Sequence, residues 1–345
     1  MKPGQTRSWA VTWGLVLCLS GGCSRSQAQG PPPDAGGPRS KECSELPPPF
    51  RTETFKVGFV PIYEPGNPWG VTNTNEMVAE ARKLGYTLQY TPLAKGDVPE
   101  QIERMQGLID ARVDAIILRP MDATALAPSV VAARKACIPV FTENRFLDAT
   151  LAVPGVDYVT GIGADPAVQG QLIADWLIRA TNGKASILEI EGTSGSSSAI
   201  GRKKGFDQQI AAQPGMKIVA SESGKFDRVA GHDVTKRLLS RFPRANAIFT
   251  HNDGMALGAL AAVEEAGKVP GKDVLIVSVD GVKEAVQRVI AGSIAAIEFN
   301  DPRFGAITFQ TIEKYRASQA VPSKIVTRGP IIDSTNAAAM LSEAF

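Results

Sequence analysis

The chain has 345 residues, 43% of them apolar and only 6% aromatic, with 37 basic side chains against 35 acidic ones and a net charge of +2. That length exceeds one ordinary core and suits two lobes of middling size. The near-balance of charge supplies no basic face for a nucleic-acid partner.

At the N-terminus, Lys2 and Arg7 form a short positive region, and a mostly apolar run from Trp9 to Leu19 leads to the small residues Ser20, Gly21 and Gly22. The run is shorter than the ~20 residues needed to span a bilayer, so residues 1–23 have the layout of a secretory signal peptide. Small residues followed by Cys23 also match a lipoprotein cleavage box, with Leu19 one step earlier than usual. The expectation is export to the periplasm, with lipid on Cys23 as the only attachment to a membrane. Residues 24–51, rich in Pro, Gly, Ser and Gln, have the composition of a disordered spacer. Two further cysteines, Cys43 and Cys137, remain. Export permits a disulfide between them; the alternative makes Cys137 a small buried apolar residue.

From Phe55 onward, β-branched runs alternate with amphipathic stretches. Strands are expected at 55–62, 87–90, 115–118, 140–142 and 158–162, then at 187–190, 217–220, 247–250, 274–279 and 294–299. Helices are expected between them at 74–84, 100–111, 126–136, 168–181, 202–212, 229–241, 254–266, 283–290 and 304–317. The strands are nearly continuous apolar runs, as they are when helices cover both faces of a sheet. Strand–helix alternation gives parallel sheets with right-handed crossovers. It occurs twice over, which predicts an α/β chain of two doubly wound parallel-sheet lobes.

In such sheets ligands bind beyond the carboxyl ends of the strands. Those positions hold Asn67-Pro68-Trp69, Glu143-Asn144-Arg145, His251-Asn252-Asp253, Asp280-Gly281 and Asn300-Asp301, with Phe226-Asp227-Arg228 on the loop before a helix. The inventory is amides, carboxylates, guanidinium and aromatic rings. Amides and carboxylates match sugar hydroxyls, Arg supplies a fork of donors, and Trp or Phe covers a C–H face. Singly, each has a plainer explanation: Asn and Asp after strands are commonly helix caps, Trp69 is a core residue and Arg145 an ion-pair partner. Convergence at one edge of two sheets is what favours a ligand site.

Three segments carry a resemblance: Ala199-Ile200-Gly201-Arg202-Lys203-Lys204-Gly205-Phe206, then His251-Asn252-Asp253-Gly254-Met255 with Leu257-Gly258-Ala259, and Ser278-Val279-Asp280-Gly281-Val282. Together they resemble the ribose- and galactose-type periplasmic sugar-binding proteins of ABC importers, the type I periplasmic binding proteins, and above all the galactofuranose-binding branch. The likeness runs from about Phe55 to the C-terminus. It implies a three-strand hinge near residues 161–164, 298–301 and 323–327, a first lobe of 52–161 plus 302–325, and a second of 162–301 plus 326–345. It also implies a monomer that closes on a monosaccharide and presents it to an importer permease, without cofactor or metal.

By position, the resemblance assigns Asn67 and Trp69 to contact and stacking, Asn144 and Arg145 to the hydroxyls and ring oxygen, and Phe226 to the opposite sugar face. Asn252, Asp280 and Asn300 complete the set. Four positions depart from the pattern: Asn144 stands for an Asp, Gly70 for an Arg, Asn73 for a Glu and Gly201 for an Asp. Asn73 keeps its place among the expected site residues.

Three rival functions fit a chain of this class. An enzyme finds little support, since only His232 and His251 are present, without metal-ligand spacing. Gly161-Ile162-Gly163 lacks the third glycine of a dinucleotide fingerprint, Pro166 standing there, and the Gly192–Ser198 loop lacks the Lys-Ser/Thr of a phosphate loop. A repressor of the same fold needs a helix-turn-helix where this chain has its signal and spacer. A sugar or autoinducer receptor that feeds a sensor kinase or chemoreceptor stays open as the alternative to an importer component.

Overall fold

A computed structural model describes residues 42–47, 55–62, 66–90 and 92–345. The signal peptide, Cys23 and most of the spacer lie outside the described residues.

The first series of elements is β1 (Lys56–Val60), α1 (Pro68–Lys83), β2 (Thr87–Tyr90), α2 (Val98–Asp110), β3 (Ala115–Leu118), α3 (Ala127–Lys135), β4 (Val140–Glu143) and β5 (Thr160–Ala164). The second is α4 (Pro166–Ala180), β6 (Ala185–Glu191), α5 (Ser197–Ala211), β7 (Met216–Ser223), α6 (Arg228–Arg241), β8 (Ala247–Thr250), α7 (Asp253–Glu265), β9 (Leu275–Asp280), α8 (Lys283–Ile290) and β10 (Ala296–Phe299). The chain ends with α9 (Gly305–Arg316), β11 (Lys324–Thr327), β12 (Ile331–Asp333) and α10 (Ala337–Met340).

Two six-stranded sheets result, ordered β11-β5-β4-β3-β1-β2 and β12-β10-β9-β8-β6-β7. Apart from their last strands they repeat one topology, with the order reversing beside β1 in one sheet and beside β6 in the other. The chain crosses between them three times, after β5, after β10 and after β11. The first sheet continues through Ala164 and Thr327, so β5 and β11 pair in parallel over their whole length. One strand departs from the parallel expectation: β12 runs antiparallel to β10. Only residues 328–330 separate it from β11, far too few for a parallel crossover of a dozen or more residues. It enters at the cleft end of the sheet and must run back.

Each sheet carries a core on both faces. In the first lobe, Phe59, Met77, Phe141 and Phe309 pack on one side, while Met105, Leu108, Ile116 and Val130 pack on the other. In the second, Ile173, Phe206 and Phe249 oppose Leu238, Ile248, Leu260 and Val286. Proline sits in the first turn of α1 to α4, where its missing N–H has no intrahelical acceptor to lose. Among the described residues no helix is long and apolar enough to cross a membrane.

Cys43 and Cys137 form a disulfide with Cα atoms 5.3 Å apart, which decides between the two alternatives for Cys137. The bond pins the segment 42–47 across the first lobe. Cys43 N–H donates to the Lys135 carbonyl at 3.2 Å, Arg134 donates to the Cys43 carbonyl, and the Tyr315 hydroxyl donates to the Pro47 carbonyl.

Candidate ligand cleft between the lobes

The carboxyl ends of the two sheets face one another across a small, narrow space. Asn67, Trp69, Asn144 and Arg145 line it from the first lobe, and Phe226, Asn252 and Asp280 from the second, with Asn300 at the second crossing. Eight of the nine expected ligand residues therefore converge. The ninth, Asn73, does not line the space. It is fully buried behind it, donating to Glu143 at 3.2 Å and to the Pro302 carbonyl at 3.0 Å, while its own oxygen accepts from Arg119.

Helix capping and cavity lining prove compatible. Asn67 accepts from Trp69 N–H to cap α1, and Asn252 accepts from Met255 N–H to cap α7. Asn252 also donates to the Phe226 carbonyl at 3.2 Å, which ties two lining residues together. Trp69 is 4% exposed; its indole N–H donates to the Asn300 carbonyl at 2.8 Å, and the Arg119 guanidinium lies 5.3 Å from its ring centroid. Trp69 thus belongs to the first core and to the cavity wall at once.

Backbone strain singles out the same place. Among the described residues, eight non-glycine residues have positive φ. Arg112, Cys137, Asn182 and Ser318 each follow the last residue of a helix end, where a left-handed residue is ordinary. The other four, Asn144 (58°), Lys225 (57°), Phe226 (60°) and Asp280 (137°), all lie beside the cavity or on its wall. Such conformations cost about 1–3 kcal/mol each and cluster at functional sites.

Glycines make room for this arrangement. A Cβ at Gly192 would stand 2.0 Å from the Phe226 ring, and one at Gly195 would stand 2.0 Å from the Asp122 carboxylate of the opposite lobe. The lobes touch there: Ala123 N–H donates to the Gly195 carbonyl at 3.0 Å, and Phe146 N–H to the Ser197 hydroxyl at 2.8 Å. The Arg145 guanidinium lies 5.3 Å from the Phe226 ring centroid, bridging the cleft.

Sequence reasoning missed two lining residues, Ser198 and Arg202. They are i and i+4 on α5, hence on one face. The apolar pattern starts that helix at Arg202, whereas Ser196 caps it through Ala199 N–H six residues before the pattern begins. Arg202 anchors a buried network: it donates to Gln169 at 3.0 Å and to the His251 carbonyl at 2.5 Å, and stands 4.0 Å from Asp280. Gln169 in turn donates to Glu298 at 2.9 Å. Burial pushes Glu298 up to about 8 and Asp253 up to about 6.

The two histidines sit apart. His251 is enclosed against Glu189 at 3.1 Å, with burial lowering its pKa, while His232 lies among Asp233 and Glu265 near the surface, raised by those carboxylates.

Residues 57–316 match the periplasmic binding protein domain family. The chain belongs to that family. Among curated members it is similar to the galactofuranose-binding protein of Escherichia coli, with 36% identity over 263 residues, 74% of this chain and 81% of that one. It is also similar to the ribose import binding protein of the same organism, at 32% over 75% of this chain and 84% of the relative. Among solved structures, the periplasmic binding protein component of the arabinose ABC transporter from Shewanella sp. ANA-3, bound to L-arabinofuranose, superposes with a TM-score of 0.78 at 34% identity. The match covers 84% of this chain and 95% of that one. A galactofuranose-binding protein structure follows at TM-score 0.77 and 33% identity, covering 84% and 98%. Two of these relatives are named as parts of transport systems, one for ribose import and one for an arabinose ABC transporter.

Proposed function

We propose that this protein is an exported receptor that captures one monosaccharide between its lobes and delivers it to an ABC importer. The carrying observation is the convergence of hydrogen-bonding and ring-bearing side chains from both lobes on one space between them. Trp69 and Phe226 supply apolar faces for ring C–H groups, and Asn67, Asn144, Arg145, Asn252, Asp280 and Asn300 supply donors and acceptors for hydroxyls. Once the lobes close, a hydroxyl that finds no partner costs about 1–3 kcal/mol, roughly tenfold to a hundredfold in affinity, which separates epimers. Relatives named for galactofuranose, ribose and arabinofuranose favour a furanose or a small pyranose.

The ligand bridges both lobes, so its preference for the closed form drives closure about the three crossings. The chain binds without turnover: His251 is enclosed by Glu189 away from the lining, and His232 is on the surface. The signal-like N-terminus, Cys23 as a lipid site and the disulfide together support a periplasmic protein tethered to a membrane. Calorimetric titration against a panel of aldopentoses and aldohexoses, furanose forms included, tests this. Saturable binding of one sugar per chain, recovered unchanged, is expected; no heat with any monosaccharide or derivative would overturn it.

A further inference from the structure

The lobes meet directly beside the cavity. The first lobe brings two turns to the contact, one after β3 and one after β4. The Asp122 carboxylate accepts from the N–H groups of Thr124 and Ala125, each at 2.8 Å. Asp148 N–H donates to the Ala123 carbonyl at 2.9 Å, so the two turns are braced as one unit. The second lobe brings the loop between β6 and α5, braced in the same way. The Ser196 hydroxyl donates to the Thr193 carbonyl at 2.8 Å and accepts from Ala199 N–H. The Thr193 hydroxyl donates to the Lys225 carbonyl at 3.1 Å.

Two hydrogen bonds join these units across the cleft, Ala123 N–H to the Gly195 carbonyl at 3.0 Å and Phe146 N–H to the Ser197 hydroxyl at 2.8 Å. Gly195 has a φ of 83° and no room for a Cβ against the Asp122 carboxylate. Asp122, Ala123, Phe146, Gly195 and Ser197 all stand outside the lining of the ligand space.

We propose that these five residues form a clasp, which keeps a measurable share of the chain closed without ligand and favours closure equally whatever fills the cavity. The chain crosses between lobes after β5, β10 and β11, whereas the clasp follows β3, β4 and β6. Rotation about the crossings therefore parts it, and its two hydrogen bonds exist only with the lobes together. Contacts made in one of two states shift the equilibrium toward that state. Apparent affinity scales with the population of the closed state. The clasp thus sets how tightly every ligand is held and leaves the ratio between ligands to the cavity wall. It needs closure, not a sugar.

The first arm of the experiment uses no ligand. Pulsed electron resonance between spin labels at Gln106→Cys on the first lobe and Glu264→Cys on the second, both exposed, gives the closed-to-open ratio. Ser197→Ala removes the acceptor of Phe146 N–H and should lower that ratio about threefold to tenfold, the worth of one net hydrogen bond. Ser197→Thr keeps a hydroxyl and should preserve it. Gly195→Ala should lower it further, since its methyl meets Asp122 only in the closed form. Thermal melts confirm each fold. The second arm titrates arabinose and galactose calorimetrically, and Ser197→Ala should weaken both by one factor. A wild type wholly open without ligand, or a ratio unmoved by Ser197→Ala, overturns the clasp. So does a loss that differs between the two sugars, which would place Ser197 against the ligand. Binding of neither sugar counts against the sugar reading alone, because the label distances decide the clasp without one.

Discussion

The two lobes share a topology and differ in how they back the cavity. Behind the first wall Arg119 lies with Glu143 and Asn73 under the Trp69 ring. Behind the second, Arg202 reaches Asp280, Gln169 and the His251 carbonyl, with Glu298 and Asp253 both raised by burial. The first lobe thus holds an aromatic platform on a fixed ion pair. The second sets Asp280 against Arg202 over two carboxyls that burial raises, Glu298 to about 8 and Asp253 to about 6.

That contrast can be broken most severely from the first lobe. Arg119→Leu leaves Glu143 buried without its guanidinium, and loss of one partner from a buried ion pair costs about 3–5 kcal/mol. Denaturant unfolding should show that loss; a change below about 1 kcal/mol would mean that the pair is not the prop described. A smaller effect is expected from Gly192→Ala. Its methyl would overlap the Phe226 ring, and overpacking of this kind costs about 1–3 kcal/mol, which should appear as roughly tenfold to hundredfold weaker sugar binding. Unchanged affinity would remove Phe226 from the ligand's surroundings.

The pH dependence sharpens the comparison further. The Glu298 carboxyl rises from an ordinary 4.5 to about 8 in the fold. Between those values the native state holds a proton that the unfolded chain has lost. Its contribution to stability is therefore fully present below about pH 4.5 and fades as pH rises through 8. Glu298→Gln keeps a neutral side chain at that position and should flatten this part of the stability–pH curve. A parallel curve for the variant would show that Glu298 does not titrate in this window.

Much of the scaffold was legible in the sequence because its strands are buried on both faces. All ten expected strands appear, with ends moved by a few residues, since Ile116, Ile117 or Val277 in a run has no other stable place. β11 and β12 escaped notice because they are short and half-exposed, with alternation too brief to register. Strand ends pointed to the cavity residues, since topology alone brings them to one edge. Other features had no local signal. Arg202 hid behind a helix start made of Ser and Ala. Asn73 was expected at the wall because the resemblance puts a site Glu at its position, and its actual partners, Arg119 and Glu143, lie 46 and 70 positions away. The positive φ values of Asn144, Phe226 and Asp280 come from tertiary packing.

The central claim is that both walls grip one ligand. Its most direct test is a calorimetric titration of wild type, Arg145→Leu and Phe226→Ala with whichever sugar binds, alongside thermal melts. The account predicts folded variants that each bind at least about tenfold more weakly. Wild-type affinity in either folded variant would contradict it.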